Sequence, residues 1–303
     1  MNLYHDFLKL TSEKNILQEE PMKNHTTFKI GGPVPFMLLP ETQEELVALA
    51  GYLLKNQLPF FVMGNGSNLL VSDQGLSCIV IKTAGRLHQV EAEGTVITAM
   101  AGALLSKISS VCIQNNLSGF EELSGIPGTL GGAIYMNAGA YGREIGDLVL
   151  DVTILDKEGI LRTLPKEELE FSYRKSWFSQ HPCLILRARL TLEKAEQSVI
   201  LEKTTEFSRR RKEKQPLNYP SAGSTFKRPP NFFAAKLIED CGLKGCCVGG
   251  AMVSEKHSGF VVNTGGATAQ DVIALTQEIK NKVKTRYGVE LELEMNYLED
   301  PKK

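Results

Sequence analysis

The residues with the most evident chemical potential lie in a glycine-rich stretch at positions 121–142, which reads EELSGIPGTLGGAIYMNAGAYG. It holds six glycines and one proline, and Glu121 and Glu122 are its only charged residues. Glycine loses more conformational entropy on folding than any other residue, so this crowding is costly unless bare backbone is needed. The stretch therefore predicts either a tight, buried connection or backbone N–H groups that approach a pyrophosphate-bearing cofactor.

A second glycine loop, GNGSN at 64–68, follows the apolar segment LPFFVM and precedes another apolar segment at 69–71. A short apolar run of this kind is typical of a strand buried on both faces. The loop lacks the third glycine of the dinucleotide fingerprint, and a strand rather than a helix is predicted after it. A Rossmann site is therefore not favoured, whereas a phosphate-binding turn and an ordinary hairpin turn both fit.

Polar residues that could take part in acid–base chemistry occur in three other places. Glu290, Glu292 and Glu294 alternate with apolar residues and would line one face of the last strand, where a carboxylate beside a cleft can act as an acid or base. Ser224 follows a glycine in AGSTFK, close to a cation. Arg174, in SYRKS, has a guanidinium suited to a carboxylate or phosphate. A solvated strand face, a turn serine and an exposed loop arginine are the alternatives, and the residues alone leave them open.

The elements that must position these residues follow from periodicity and capping signals. Residues 1–20 predict a short polar helix that is only loosely attached, and Thr42 with Glu45 predicts a capping box for a helix ending near Asn56. The segments at 149–159, 160–165 and 183–193 predict strands of a mainly antiparallel sheet with a hairpin turn at 156–159.

The C-terminal part begins after a charged helix predicted at 196–214, which Pro216 ends, so a domain boundary is expected near 200–216. The clearest helix of the sequence follows, with Thr268 and Asp271 as its capping box and Gly288 at its end. A strand at 289–298 is predicted to complete the fold.

Composition excludes several classes of protein. The formal charge of −1, from 34 basic and 35 acidic residues, gives no field that would attract nucleic acid or an anionic membrane. No apolar run approaches the roughly 20 residues of a membrane span, and the N-terminal residues do not resemble a secretory signal. The six scattered cysteines form no CxxC pair, so we expect no metal site and reduced thiols in a cytoplasmic protein.

An ordered set of motifs resembles the family of UDP-N-acetylenolpyruvoylglucosamine reductases, flavoenzymes of peptidoglycan precursor synthesis and thus of cell-wall formation. The resemblance spans nearly the whole chain from about residue 20. The matching segments are NHTTFKIGG (24–32), GNGSNLL (64–70), SGIPGTLGGA (124–133), NAGAYG (137–142), SYRKS (172–176), SAGSTFK (221–227) and LELE (291–294).

The resemblance implies an α+β protein with an FAD-binding fold of the vanillyl-alcohol-oxidase (PCMH) type. It implies two FAD-binding subdomains, at 1–84 and 85–205, and an α+β substrate-binding domain at 206–303. Non-covalent FAD would be held by two loops, through Gly64, Asn65, Gly66, Ser67, Asn68, Leu69, Ser124, Gly125, Ile126, Pro127, Gly128, Thr129, Gly131, Gly132 and Ala133.

The implied reaction has two halves, in which NADPH reduces FAD and the enolpyruvyl sugar nucleotide then takes up a hydride and a proton to give UDP-N-acetylmuramate. By resemblance, Ser224 donates the proton, while Arg174 and Glu294 polarise the substrate carboxylate. The residues implied to bind the substrate are Lys227, Arg228, Tyr173 and Asn137. The expected partner is this small molecule, with no nucleic acid, no membrane and a monomeric protein.

Two positions depart from the family pattern. Arg228 stands where asparagine is frequent, and LELE lacks the proline that often separates the two glutamates, so Glu292 stays an alternative to Glu294. The interval between Arg174 and Ser224 is too short for the substrate-covering tyrosine loop, which indicates the shorter subclass. An oxidase of the same flavin fold that uses oxygen, and a silent nucleotide-sugar binding protein, are the alternative functions.

Overall fold

The computed structural model describes residues 2–300, and these form two compact units that do not follow chain order. Unit 1 contains the described residues up to Gln18, together with Phe36–Asn65 and Cys78–Arg210. Unit 2 contains Glu19–Pro35, Gly66–Ser77 and the described residues from Arg211 onward. The three-domain division expected from the sequence stays a prediction.

Two main sheets organise unit 1. In the first, Phe60–Met63 and the part of Pro33–Leu38 from Phe36 onward pair in parallel with Ile79–Lys82. Ile16–Pro21, of which the residues up to Gln18 belong to this unit, lies at the edge. The second is the predicted antiparallel sheet, whose strands in spatial order are Leu161–Pro165, Val149–Leu155, Leu184–Thr191, Val96–Met100 and Val90–Glu93. Two small sheets of two-residue strands complete the unit. One pairs Leu117–Ser118 with Glu193–Lys194, and the other pairs Gly139–Ala140 with Arg143–Glu144.

The shorter helices of unit 1 are Leu3–Phe7 and Ile145–Leu148, and the greater part of the charged helix Gln197–Lys214 also belongs to the unit, with Ile200 as its buried residue. Gln43–Lys55, Leu105–Gln114 and Leu130–Tyr135 place buried apolar residues in the same clusters as the two sheets. Thr42 caps the first as predicted, because its hydroxyl accepts from the N–H of Glu45. The Glu45 carboxylate accepts from the N–H of Glu41 rather than returning to Thr42.

The prediction of a loosely attached polar helix over residues 1–20 is wrong. The helix there is only Leu3–Phe7, and a strand follows at Ile16–Pro21. Phe7 is fully buried and contacts the rings of Phe36 and Tyr52 edge-on, so one aromatic residue anchors the segment that its polar composition suggested would be loose.

Unit 2 is built around its longest helix, Ala269–Tyr287. The helix Ala234–Asp240 and the antiparallel strands Cys247–Val248, Ala251–Val253 and Val261–Asn263 contribute to the same core. Strand Leu69–Val71 pairs in parallel with Asn296–Leu298, and the buried Phe28, Ile30 and Leu70 join the cluster. None of the helices within residues 2–300 is both long enough and apolar enough to cross a bilayer.

The capping signals of the long helix are confirmed. Thr268 and Asp271 form a reciprocal capping box, and Gly288 ends the helix in the left-handed conformation at φ 68°. Asp73 adds a further cap, since its two carboxylate oxygens accept from the N–H groups of Ala269 and Gln270.

The prediction of a continuous strand at 289–298 is wrong, although its burial pattern holds. Leu291 and Met295 are buried while Glu290 and Glu292 are exposed, but regular pairing is confined to Asn296–Leu298. Over 292–294 the chain pairs with residues 225–227 through one isolated bridge, between Leu293 and Phe226, and a single bridge is too little for a ladder.

Two glycine-to-alanine changes should have opposite effects on stability. Gly288→Ala should lower the free energy of unfolding by about 1–2 kcal/mol, because it places a Cβ in the left-handed region. Gly51→Ala, inside the helix Gln43–Lys55, should raise it by about 0.5–1 kcal/mol, because nothing lies within 4 Å of the new methyl group. Denaturant titration of both variants tests this, and changes of equal sign would contradict it.

Candidate functional site

In unit 1 the start of the first glycine loop lies directly against the second. A Cβ built on Gly64 would stand 2.1 Å from the Thr129 Oγ1, so only glycine fits there. Asn65 donates from its side-chain amide to the backbone oxygen of Pro127 at 2.8 Å. The structure therefore brings the two predicted loops together at these residues.

The loop that precedes the helix Leu130–Tyr135 is fixed by its neighbours. The N–H groups of Leu130 and Gly131 donate to the backbone oxygens of Ala103 and Ala101 at 2.9 and 2.8 Å. Gly131 is also required sterically, since a Cβ there would lie 2.9 Å from the Cβ of Ala101. These contacts hold the loop in one conformation.

Several backbone donors of these loops have no acceptor of their own. Across the part of the chain that the structure describes, the N–H groups of Gly64, Asn65, Gly125 and Gly128 donate to no other group. Successive amides of this kind form a concave donor surface that suits phosphate oxygens. Glycine at three of the four positions lets a ligand approach the backbone closely.

The remainder of the first loop, residues 66–69, belongs to unit 2 and is tied to the C-terminal segment. The side-chain amide of Asn68 donates to the backbone oxygen of Glu294 at 3.0 Å, and the backbone oxygen of Asn68 accepts from the N–H of Asn296 at 2.9 Å. The N–H of Thr27 donates to the backbone oxygen of Gly66 at 3.3 Å, and its hydroxyl donates to the backbone oxygen of Ser221 at 2.7 Å. Thr27 lies in the motif NHTTFKIGG, which carries part of the family resemblance, but it is not among the site residues predicted from the sequence.

Ser224 is presented at the surface of unit 2 by a well-anchored segment. Gly223 before it adopts φ 77°, and Thr225 and Phe226 after it are buried. The N–H of Thr225 donates to the backbone oxygen of Gly259, and the Thr225 hydroxyl accepts from the N–H of Val261 at 2.8 Å. Ser224 itself is exposed, and within residues 2–300 its hydroxyl has no hydrogen-bond partner. A rigid frame thus carries a hydroxyl that a ligand can reach.

Glu294 adjoins this frame because its N–H donates to the backbone oxygen of Thr225 at 2.9 Å. The neighbouring carboxylates have other contacts. Glu292 pairs with Lys227 at 3.1 Å and Glu290 pairs with Lys284, and both glutamate side chains are about three-quarters exposed. Glu294 is the half-buried member of the three, and so its surroundings differ most from those of a solvated strand face.

A histidine close to this frame stays uncharged. His257 packs edge-on against Phe260 and accepts at Nδ1 from the N–H of Gly259, the residue to which Thr225 is bonded. Burial lowers the pKa of His257 below its usual value of 6.5, so the neutral ring predominates at pH 7. His257 therefore adds no positive charge beside this frame at pH 7.

Arg174, in unit 1, occupies a tight turn closed by paired backbone bonds between Ser172 and Lys175, both 3.0 Å long. It adopts φ 56°, a region that non-glycine residues seldom occupy. Its guanidinium donates to the oxygen of Gly139 at 3.1 Å and lies 3.9 Å from the carboxylate of Glu144. The arginine is therefore largely buried and oriented, which contradicts the alternative of an exposed loop residue.

Asn137 has an environment that does not suit a substrate ligand. It is 1% exposed, and its amide donates to Glu144 and to the backbone oxygen of Ser172 at 2.7 and 3.0 Å. Its carbonyl oxygen accepts from the N–H of Gly146 at 3.0 Å. Because both donors and the acceptor are engaged within unit 1, we leave Asn137 out of the proposed substrate ligands.

The other predicted substrate ligands are accessible. Tyr173 is exposed, and the Arg174 guanidinium lies over its ring at 4.9 Å from the centroid. In unit 2, Arg228 is exposed and lies 4.0 Å from the ring centroid of Phe233. Lys227 precedes it and pairs with Glu292, so two cations stand next to the segment that carries Ser224.

Comparison with known proteins identifies the kind of site. The profile of the UDP-N-acetylenolpyruvoylglucosamine reductase C-terminal domain matches residues 215–298, and that of an FAD binding domain matches residues 34–164. A UDP-N-acetylenolpyruvoylglucosamine reductase of Caldanaerobacter subterraneus subsp. tengcongensis is 52% identical over 283 residues, 93% of each chain. One from Alkaliphilus oremlandii is 50% identical over 295 residues, 97% of each chain.

Solved structures agree with these matches. The crystal structure of UDP-N-acetylenolpyruvylglucosamine reductase from Thermus caldophilus superposes with a TM-score of 0.78 at 37% identity, over 93% of this chain and 97% of that one. A glucose dehydrogenase, Phl p 4.0202, shares the fold alone, with a TM-score of 0.51 and 12% identity over 65% of this chain and 45% of that one. The predicted α+β FAD-binding fold of the PCMH type and the predicted cofactor, FAD, are thereby confirmed.

Proposed function

We propose a function from the premise that this chain belongs to the UDP-N-acetylenolpyruvoylglucosamine reductase family, in its shorter subclass without the tyrosine loop. The protein reduces UDP-N-acetylenolpyruvoylglucosamine to UDP-N-acetylmuramate, with NADPH as electron donor. The observation that carries the proposal is the 52% identity over 93% of the chain to a relative of that name. The reaction consumes one NADPH and one proton and saturates the carbon–carbon double bond of the enolpyruvyl group. In this role the protein acts in peptidoglycan synthesis, and hence in cell shape and division, within the cytoplasm and as a monomer.

The donor surface formed by the two glycine loops fits FAD. Its unpaired N–H groups at Gly64, Asn65, Gly125 and Gly128 would hold the pyrophosphate, and the steric contact at Thr129 leaves no room for a side chain at position 64. The family resemblance assigns the remaining residues of the two motifs, 66–69 and 124–133, to FAD as well. When bound, FAD would supply the hydride-transfer chemistry between NADPH and the vinyl CH2 of the substrate.

Ser224 donates the proton to the carbon next to the one that receives the hydride. Its exposed hydroxyl, held on the rigid segment between Gly223 and Thr225, supports this role. A serine is a weak acid, so it acts only where negative charge builds up on the carbon that it protonates.

Arg174 and Glu294 polarise the substrate carboxylate and stabilise the enolate-like state, in which that charge develops. The fixed orientation of Arg174 supports its part, since a preoriented guanidinium needs no rearrangement as the charge forms. We choose Glu294 over Glu292 because Glu292 is exposed and paired with Lys227.

Lys227, Arg228 and Tyr173 bind the nucleotide portion of the substrate. Two adjacent cations suit a diphosphate, and the guanidinium of Arg228 can make paired hydrogen bonds to phosphate oxygens. Arg228 replaces a frequent asparagine of the family, so this contact is the most specific to the present chain. We propose the domain division 1–84, 85–205 and 206–303 together with these roles.

Purified protein should be yellow and should oxidise NADPH at a useful rate only when UDP-N-acetylenolpyruvoylglucosamine is present. Absorbance at the flavin and NADPH bands checks both expectations. Protein that is colourless and cannot be reconstituted with FAD would refute the proposal. Rapid reoxidation in air without the sugar nucleotide would favour an oxidase, and FAD binding without turnover would favour a silent binding protein.

A further inference from the structure

The turn that carries Arg174 is strained and needs external support. Arg174 has φ 56°, and a non-glycine residue persists in that region only where the surroundings enforce it. The turn is closed by two backbone bonds between Ser172 and Lys175. Two bonds do not fix where the turn lies relative to the rest of unit 1, so other contacts must do so.

Those contacts come from the end of the glycine-rich stretch. Asn137 donates to the backbone oxygen of Ser172 at one end of the turn, and Ser176 donates its hydroxyl to the oxygen of Tyr135 at the other end, at 2.6 Å. Asn137 is itself left-handed, with φ 46°. Residues 135–137 therefore hold both ends of the turn.

Asn137 also places a charge beside Arg174. Its amide fixes one carboxylate oxygen of Glu144 at 2.7 Å, while the other oxygen lies 3.9 Å from the guanidinium. At that separation the attraction orients the guanidinium by charge rather than by a direct hydrogen bond. The N–H of Gly146 donates to the side-chain oxygen of Asn137, and this bond fixes the orientation of the Asn137 side-chain amide.

We propose that Asn137 and Glu144 form a positioning clamp that fixes the backbone and the guanidinium of Arg174 for the reduction of the enolpyruvyl substrate. The inference rests on the proposed function for the role of Arg174, and it replaces substrate binding as the role of Asn137. Neither residue of the clamp contacts the reacting atoms. Both act through Arg174.

A double-mutant cycle tests whether Asn137 acts through Arg174. In the otherwise unchanged FAD-loaded protein, Asn137→Ala should slow reoxidation by the enolpyruvyl sugar nucleotide about 100-fold, the effect of a displacement of about 1 Å. In an Arg174→Ala background the same change should have almost no further effect. Reduction by NADPH and FAD content should be unchanged. Asn15→Ala is the matched control, because Asn15 is a fully buried asparagine of unit 1 that lies outside the clamp.

Hydrogen exchange gives a readout that does not depend on activity. Asn137→Ala should speed exchange at the amides of Ser172 and Lys175, which close the turn, whereas Asn15→Ala should not. If Asn137→Ala does not fold, Glu144→Ala replaces it in the double-mutant cycle, since Glu144 is partly exposed and lies beside the guanidinium.

Independent, multiplicative effects of the two substitutions, or unchanged exchange at both amides, would overturn the clamp. If exchange rises while the sugar nucleotide fails to reoxidise even the unsubstituted protein, the clamp stands as a structural feature and the proposed function fails. The two failures are thus separable.

Discussion

Ser224→Ala should slow reoxidation of the reduced protein by UDP-N-acetylenolpyruvoylglucosamine by roughly 10²–10⁴-fold, the usual contribution of a positioned proton donor. Reduction by NADPH should be unchanged, because the hydroxyl is held by an independent backbone frame and takes no part in that half-reaction. Stopped-flow flavin absorbance, followed separately in the two half-reactions, measures both rates.

Two further variants make the result specific to proton donation. Ser224→Cys retains an acidic proton and should recover part of the lost rate. Ser110→Ala, at an exposed serine whose hydroxyl bonds only to its own helix, should behave like the unsubstituted protein. Equal loss of both half-reactions in Ser224→Ala would show that the residue supports cofactor geometry instead of donating a proton.

Gly64→Ala should weaken FAD binding strongly. The added methyl group would stand 2.1 Å from the Thr129 Oγ1, well inside van der Waals contact, so the two loops must separate. Overpacking of this kind costs about 1–3 kcal/mol, which corresponds to roughly a 5- to 150-fold increase in the Kd for FAD. Titration of the apoprotein with FAD measures the change.

A compensating change tests the steric cause. Thr129→Ala removes the Oγ1 and Cγ2 atoms and leaves only the Cβ, 3.2 Å from the new methyl group, so Gly64→Ala combined with Thr129→Ala should bind FAD better than Gly64→Ala alone. Thr129→Ala on its own loses the helix cap on Gly132, worth about 1 kcal/mol, and serves as the reference. Without any recovery in the double variant, the loss would have to come from something other than this contact.

Local chemistry explains what could be predicted from the sequence. The cap at Thr268, the left-handed Gly288 and the apolar side of Ala269–Tyr287 depend on residues within a few positions of one another, so their pattern is visible in the chain. The ordered motifs that resembled a known family likewise led to the fold and to FAD, both confirmed by the comparisons. The roles of individual site residues stay predictions.

Contacts between distant positions explain what the sequence could not reveal. Nothing near Gly64 in the chain indicates that Thr129 excludes a side chain there, and nothing near Asn137 indicates that Ser172 and Glu144 use its donors. The alternation at 289–295 predicted which residues are buried but not the missing ladder, because a strand also needs a partner of sufficient length. The prediction that residues 1–20 are loosely attached was wrong because the buried ring of Phe7 anchors a segment whose composition is mostly polar.

The discontinuous composition of unit 2 has a consequence for synthesis on the ribosome. Asn68 finds its partner Glu294 226 positions later, which at 5–20 residues per second is a delay of roughly 10–45 s. Throughout that interval Phe28, Ile30 and Leu70 lack the apolar side chains of the helix Ala269–Tyr287 that cover them in the finished protein. The nascent chain thus carries an unfinished hydrophobic surface for most of its translation, and this is the period in which chaperone binding or aggregation competes with folding.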